Sequence, residues 1–327
     1  MSTSGQATRT AVWDSAAELT PLLSRRLLFV TGKGGTGKTA VTASLARVAA
    51  QRGMRVLVCE MDAKGDLAAA LGAHGFAFDA QEVEPNLYGM AMDTERSLRE
   101  YLRLFVKIPL ITSIGPLAST LDFVADAAPG VKEVLAVGKL CWEVRERHYD
   151  IVIVDAEASG HIVSQIAAPR VLQQLVRLGL IREQSDWMLD ILENGDTTAV
   201  VAVTTPEEMP VTETAALISR IRRETQVVVG SVMVNRFPEP LFDGEVAESL
   251  DAAFVRRDEL INRFGHEADI VLHMAEYHVA RRREASEQLS VLRETCADVD
   301  VVVLPELVGD RVNLVGELST VLSEELS

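Results

Sequence analysis

A chain of 327 residues, 48% hydrophobic and 24% charged, is long enough to bury a substantial core. Its formal charge of -16 argues against a nucleic-acid backbone as the main partner, since such sites need local positive charge, and no nucleic acid is expected. The 3 cysteines, Cys59, Cys141 and Cys296, form no C-x-x-C pair, which indicates neither a zinc clasp nor a disulfide framework and makes a reducing cytoplasm the simplest address.

Met1 to Ser24 carries Ser, Thr and Asp but no long apolar core, and reads as a flexible leader. No later run approaches the uninterrupted apolar length of a spanning helix. Leu27-Leu28-Phe29-Val30 reads as a buried strand, and Gly32-Lys33-Gly34-Gly35-Thr36-Gly37-Lys38-Thr39 then fits the phosphate-binding pattern G-x-x-x-x-G-K-[ST]. An alanine-rich helix follows over Ala40–Gln51, with Val41, Leu45, Val48 and Ala49 on one face. In such a segment the glycines let backbone N–H groups curl toward an anion. Lys38 then reaches the β and γ phosphates, the Thr39 hydroxyl ligates Mg²⁺, and the helix N-terminus adds its dipole.

Arg55–Cys59 reads as a second strand and Glu60–Asp66 as a polar, flexible exit before a helix over Leu67–Leu71. Loops beyond the carboxyl ends of parallel strands carry the chemistry of open α/β sheets, so Asp62 is expected to face the phosphates; the alternative is a helix cap or solvated carboxylate. Asn86–Met92 reads as a strand. Residues 94–148 are mainly helical in pattern, broken at Pro109, Gly115-Pro116 and Pro129-Gly130, which is too much chain for a simple crossover and suggests a helical insertion. Within it, Leu102 to Val124 is densely apolar, as expected either of internal or dimer packing or of a surface that receives an apolar partner segment.

Ile151-Val152-Ile153-Val154-Asp155 has the near-continuous apolar character of a central parallel strand, and its terminal carboxylate suits the hydration shell of Mg²⁺. Gly160, a few residues on, would bring a backbone N–H close to a γ phosphate, with His161 either a switch residue or the start of a helix. A further helical segment is expected over about 163–195. Thr198–Thr204 then reads as a strand, Pro206–Pro210 as a turn, Val211–Arg223 as a helix, and Val227–Val234 as a buried strand ending at Asn235-Arg236. Asn235 either offers its amide to a base edge or forms a turn. A long helix over Glu267–Arg293, a strand at Val301–Leu304 followed by Pro305-Glu306, and a terminal helix from about Asn313 complete the chain.

The phosphate loop carries an additional lysine, Lys33, directly after its first glycine. In this it resembles the deviant Walker A loop of the dimeric ATPases of the arsenical-pump and tail-anchored-protein-targeting family. Asp62 with Leu67 looks like the family's switch I and Asp155 to His161 like its switch II. Thr205–Thr214 matches a family segment, while Val234-Asn235-Arg236 and Leu304-Pro305, with Glu306 next, resemble its adenine-binding loops. The likeness runs from about Leu27 to the end and is to bacterial single-domain members, which implies work beside an identical chain or a second, related ATPase.

The resemblance implies a mostly parallel, doubly wound α/β sheet of the phosphate-loop NTPase class over 25–327, with a helical subdomain inserted in it. It implies ATP and Mg²⁺ as cofactors, with the whole loop Gly32–Thr39, Gly160, Asn235, Pro305 and Glu306 on the nucleotide and Thr39 and Asp155 on the metal. Lys33 would cross a dimer interface to phosphates in the opposite subunit, Asp62 would orient water or accept its proton, and Asp155 would hold the Mg²⁺ shell. Nucleotide state would then govern a partner or an apolar client, such as a membrane protein or peptide, at a cytoplasmic site with peripheral association through a partner. The departures are Ala63-Lys64-Gly65 where members often carry Pro-Ala-His, and Ala158-Ser159-Gly160-His161 where they carry Pro-Thr-Gly-His. They imply slow or partner-dependent hydrolysis. The alternatives are a non-hydrolytic, nucleotide-gated interaction protein and a subunit of an arsenite or anion pump, although the cysteine spacing gives no arsenite triad.

Overall fold

In the computed structural model, strands β1 (Leu27–Gly32), β2 (Val56–Glu60), β3 (Gln81–Glu84), β4 (Leu87–Ala91), β5 (Ile151–Asp155), β6 (Thr198–Thr204), β7 (Val228–Phe237) and β8 (Val301–Pro305) build one sheet. They lie in the order β3-β4-β2-β5-β1-β6-β7-β8. All neighbours are parallel except β3 and β4, which pair antiparallel at the edge. The structure describes residues 22–62, 64–101, 131–157, 159–175, 180–240, 250 and 252–326. Residues 1–21 of the expected leader and the apolar segment Leu102–Val124 therefore lie outside the described residues. The last part of the leader is not loose: Leu22–Ser24 forms a 3-10 turn, because Leu22 and Leu23 bury their side chains in the core.

The expected mostly parallel, doubly wound α/β architecture is what forms, and its cause is visible in the central strands. Every residue of β1, β2, β5 and β6 is buried, because helices cover both faces of a parallel sheet. Alternation divides their side chains. Leu28, Val30, Val58, Ile151 and Ile153 pack under α1 (Lys38–Gln51), α2 (Asp66–Ala70) and, near the carboxyl terminus, α10 (Arg311–Glu325). Leu27, Phe29, Leu57, Cys59, Val152 and Val154 face the other way, against α4 (Val131–Arg145), α5 (Ser159–Leu175) and α6 (Leu180–Leu192). A third cluster joins β6, β7 and β8 to α7 (Glu208–Glu224) and the long α9 (His266–Thr295). Two shorter helices are α3 (Thr94–Tyr101) and α8 (Arg257–Phe264).

Helices α3 and α4 are the described parts of the 94–148 stretch, and α5 with α6 occupies the 163–195 stretch. Val137, Leu140 and Cys141 of α4, Ile162 and Ile166 of α5, and Met188 and Leu192 of α6 share one apolar cluster with the sheet. Among the described residues no helix is long and apolar enough to cross a membrane.

Local readings shift in four places. Glu208-Met209-Pro210, expected as a turn, begins α7, since a proline in a first turn forfeits no intrahelical bond. Strand β7 continues through Asn235 to Phe237, with its pairing interrupted where Arg236 takes a φ of 58°. Glu60, read as part of a flexible exit, is the buried last residue of β2. Strand β3 has no apolar alternation to announce it, being a largely exposed edge of sequence Gln-Glu-Val-Glu.

Candidate functional site

The phosphate loop connects β1 to α1 through backbone that only glycine tolerates at two points. Gly32 has φ 154°, and a Cβ there would meet the Val203 carbonyl oxygen at 2.0 Å. At Gly37, with φ 90°, a Cβ would strike the Asn235 amide nitrogen at 2.2 Å. The loop is braced from within and from behind: Thr36 Oγ1 donates to the Lys33 carbonyl at 2.9 Å, and Asn235 Nδ2 donates to the Thr36 carbonyl at 2.9 Å. Asn235 thus sits behind the loop, with one side-chain N–H bond holding it.

Helix α1 opens at Lys38, whose ammonium approaches the Lys33 carbonyl at 3.4 Å. Burial pushes the Lys38 pKa down, opposed by the nearby Asp155. Thr39 Oγ1 donates to Asp155 Oδ2 at 2.7 Å, and Thr42 Oγ1, one turn on, stands 3.5 Å from Asp155 Oδ1. Asp155 is 8% exposed, and burial pushes its carboxyl up from an ordinary 3.8 to about 6; the Thr39 hydroxyl and Lys38 pull it back, and the charge of Glu60 pushes it further up. A threonine hydroxyl and a carboxylate meeting beside a glycine loop form an oxygen donor set suited to Mg²⁺, which keeps much of its water. Among the described residues no group of three or more His, Cys, Asp or Glu gathers to hold a metal ion. The donor set thus fits a metal completed by phosphate and water oxygens.

The remaining expected residues lie around this centre. Asp62 is paired with Lys64, its side chain 52% exposed, and the charges of both act on Lys38, so this loop flanks the phosphate loop. Lys33 Nζ is 2.7 Å from Glu213 Oε1 of α7 in the same chain. Gly160 lies in the exposed first turn of α5, where backbone N–H groups have no intrahelical acceptor. His161 is 3.8 Å from Glu157, whose carbonyl accepts from Thr31. Pro305 ends β8 in register with Phe237, the Glu306 N–H donates to the Phe237 carbonyl at 2.9 Å, and the Glu306 carboxylate takes a fork of bonds from Arg281 at 2.6 and 2.8 Å. Strand ends thus bring the phosphate-side residues together, while Pro305 and Glu306 sit two strands beyond β6 at the sheet's other edge.

Thr42, Glu60, Glu213 and Arg281 are not among the residues singled out from the sequence for a role of their own. Thr42 had a usable signal, since it lies three residues after Thr39 and shares its face of α1. Glu213 is contributed by a helix far along the chain, and only the fold brings it to Lys33. The thiols of Cys59, Cys141 and Cys296 are buried, and burial pushes all three up, away from the thiolate that soft ions require.

The family model of the anion-transporting ATPases matches residues 25–188, half of the chain. ATPase BagA of Mycobacterium tuberculosis is 29% identical over 222 residues, covering 64% of this chain and 65% of that protein. ATPase get3 of Schizosaccharomyces pombe is 31% identical over 159 residues, 48% of this chain and 47% of its own length. A protein named as an arsenical pump-driving ATPase in Halobacterium salinarum is 26% identical over 309 residues, 87% of this chain but 46% of its own. The chain therefore spans from about half to just under two thirds of the length of these relatives. The matched half contains the phosphate loop, Asp62, Asp155 and Gly160, which the sheet gathers at the ends of three adjacent strands, and the chain belongs to the anion-transporting ATPase family.

Proposed function

We propose that this chain is a Mg²⁺-dependent, ATP-binding and ATP-hydrolysing switch that works as a homodimer or beside a related ATPase, and that its nucleotide state governs a partner or apolar client. The observation that carries the reading is the 2.7 Å bond from the Thr39 hydroxyl to the Asp155 carboxylate, next to the half-buried Lys38. The loop amides and Lys38 bind phosphate oxygens, and Thr39 and Asp155 hold the metal, which supplies positive charge at the phosphates. Asp62 orients water and accepts its proton. Lys33 leaves Glu213 and neutralises phosphate charge in the opposite subunit. Asn235, Pro305 and Glu306 mark the base end. A cytoplasmic address with peripheral membrane association through the partner fits three reduced, buried thiols. The Leu102–Val124 segment is the proposed client surface.

Phosphate release from ATP with Mg²⁺, measured with and without a related ATPase present, tests hydrolysis. Turnover should fall at least 100-fold in Asp62→Asn, by analogy with loss of a water-orienting residue. Turnover no greater than that of the Asp62→Asn control would remove the hydrolytic claim. In Lys33→Ala, nucleotide binding should persist while turnover and ATP-dependent pairing are lost; normal turnover in that variant would remove the trans role. The Asp62–Lys64 ion pair favours a second reading, a nucleotide-gated interaction protein that binds ATP and closes without hydrolysis, because it occupies the carboxylate that water would need. Single-turnover measurement separates the two. An arsenite or anion-pump subunit, the activity named for the Halobacterium salinarum relative, would need a thiol site elsewhere than at these buried cysteines.

A further inference from the structure

Glu60 is the most deeply buried acidic side chain near the phosphate loop, at 3% exposure, and nothing above assigns it a role. It ends β2 in direct register with Asp155 at the end of β5. Val58 lies under α1 and Cys59 faces the opposite layer, so alternation returns Glu60 to the α1 side; the same count from Val154 puts Asp155 there too. Two carboxylates on neighbouring strands, in register and on one face, stand about 5 Å apart at their Cα atoms. Glu60 Oε1 accepts the Leu67 backbone N–H at 3.3 Å, which fixes the carboxylate, while Oε2 is buried without a hydrogen-bond partner.

A buried carboxylate oxygen left unpaired bears its full desolvation cost, and an adjacent second carboxylate makes the charge harder to hold. A divalent cation with bound water meets both needs, offering an O–H donor to Oε2 and positive charge to the pair. We infer that Glu60 is a second carboxylate of the Mg²⁺ site, whose Oε2 would accept a hydrogen bond from water bound to the metal. The inference rests on the nucleotide and Mg²⁺ reading above. It makes the metal site of this chain two-carboxylate in character, with Thr39 held on the Asp155 carboxylate. Glu60 is a positioning residue, acting on phosphate chemistry only through the metal's water.

The test is Mn²⁺ binding in the presence of ATP, followed by loss of the free-ion electron paramagnetic resonance signal, on the wild-type chain, Glu60→Gln and Asp155→Asn. Glu60→Gln keeps an oxygen for the Leu67 N–H, so a purely structural role predicts unchanged Mn²⁺ affinity. The expected result is Mn²⁺ affinity at least 10-fold weaker in Glu60→Gln, with ATP affinity in EDTA unchanged. Should Glu60→Gln not fold, Glu60→Ser, checked by circular dichroism, is read in the same way. Wild-type Mn²⁺ affinity in the Glu60 variant beside a loss in Asp155→Asn overturns this inference and leaves the nucleotide reading standing. No ATP-dependent Mn²⁺ uptake by the wild-type chain overturns both.

Discussion

Two buried acidic sites lie on opposite faces of the sheet, and they are neutralised in different ways. On the α4 face, Glu143 is 7% exposed and pairs with Lys139 at 2.7 Å and with His148 at 2.7 Å, while Lys139 also holds Glu100 at 2.8 Å. On the α1 face, Asp155 is met by the hydroxyls of Thr39 and Thr42, and Glu60 by one backbone N–H. The first site carries its own cation and serves the fold. The second has hydroxyls and a backbone N–H as its direct partners and Lys38 only as a nearby charge, which leaves Asp155 raised, as expected of a site whose further cation arrives with a ligand.

The largest effect should come from removing the cation of the first site. Lys139→Met leaves Glu100 and Glu143 without it and should cost about 3–5 kcal/mol in urea unfolding, with ATP affinity unchanged within about 2-fold. A stable Lys139→Met protein would mean that the α4 face does not depend on its charge pairing.

The second site should respond with the opposite sign. The folded chain keeps a proton on Asp155 up to about pH 6, whereas the unfolded chain loses it near 3.8. The stabilising contribution of that proton is therefore complete below pH 3.8 and lost as pH rises through about 6. Without ligand, Asp155→Asn should be more stable than wild type above pH 6, by on the order of 3 kcal/mol at most, and should flatten the decline between pH 4 and 6. A variant less stable than wild type at pH 7.5 would show that the carboxylate is already well compensated.

A smaller effect separates two roles for Asn235. Losing its bond to the Thr36 carbonyl in Asn235→Ala should cost about 1–2 kcal/mol of stability. If bracing the loop is the dominant role, affinity for inorganic tripolyphosphate should fall as much as affinity for ATP. Loss for ATP alone would instead favour contact with the base.

What could be read in advance follows from which forces act locally. The β1 strand, the glycine loop and the apolar run ending at Asp155 are contiguous in sequence, so period, turn chemistry and a terminal carboxylate sufficed to locate them. Glu60 was misread because a polar residue after Val-Leu-Val-Cys looks like the start of a loop, and only pairing with β5 shows that the strand goes on. The Lys33–Glu213 pair joins residues 180 apart in sequence, and the Asn235 bond to Thr36 joins residues 199 apart. Neither leaves a local pattern. The β3 edge escaped notice for another reason: its strand is held by backbone pairing to β4 with little apolar burial.

The central claim is that Lys38, Thr39 and Asp155 form a phosphate and metal site, and calorimetric titration of ATP with and without Mg²⁺ into wild type, Lys38→Ala and Asp155→Asn tests it most directly. Wild type should bind ATP, and more tightly with Mg²⁺. Lys38→Ala should lose at least 100-fold in affinity, about 3 kcal/mol, and Asp155→Asn should lose the gain from Mg²⁺. A wild-type chain that binds no ATP, or a Lys38→Ala chain that binds it as wild type does, would contradict the account.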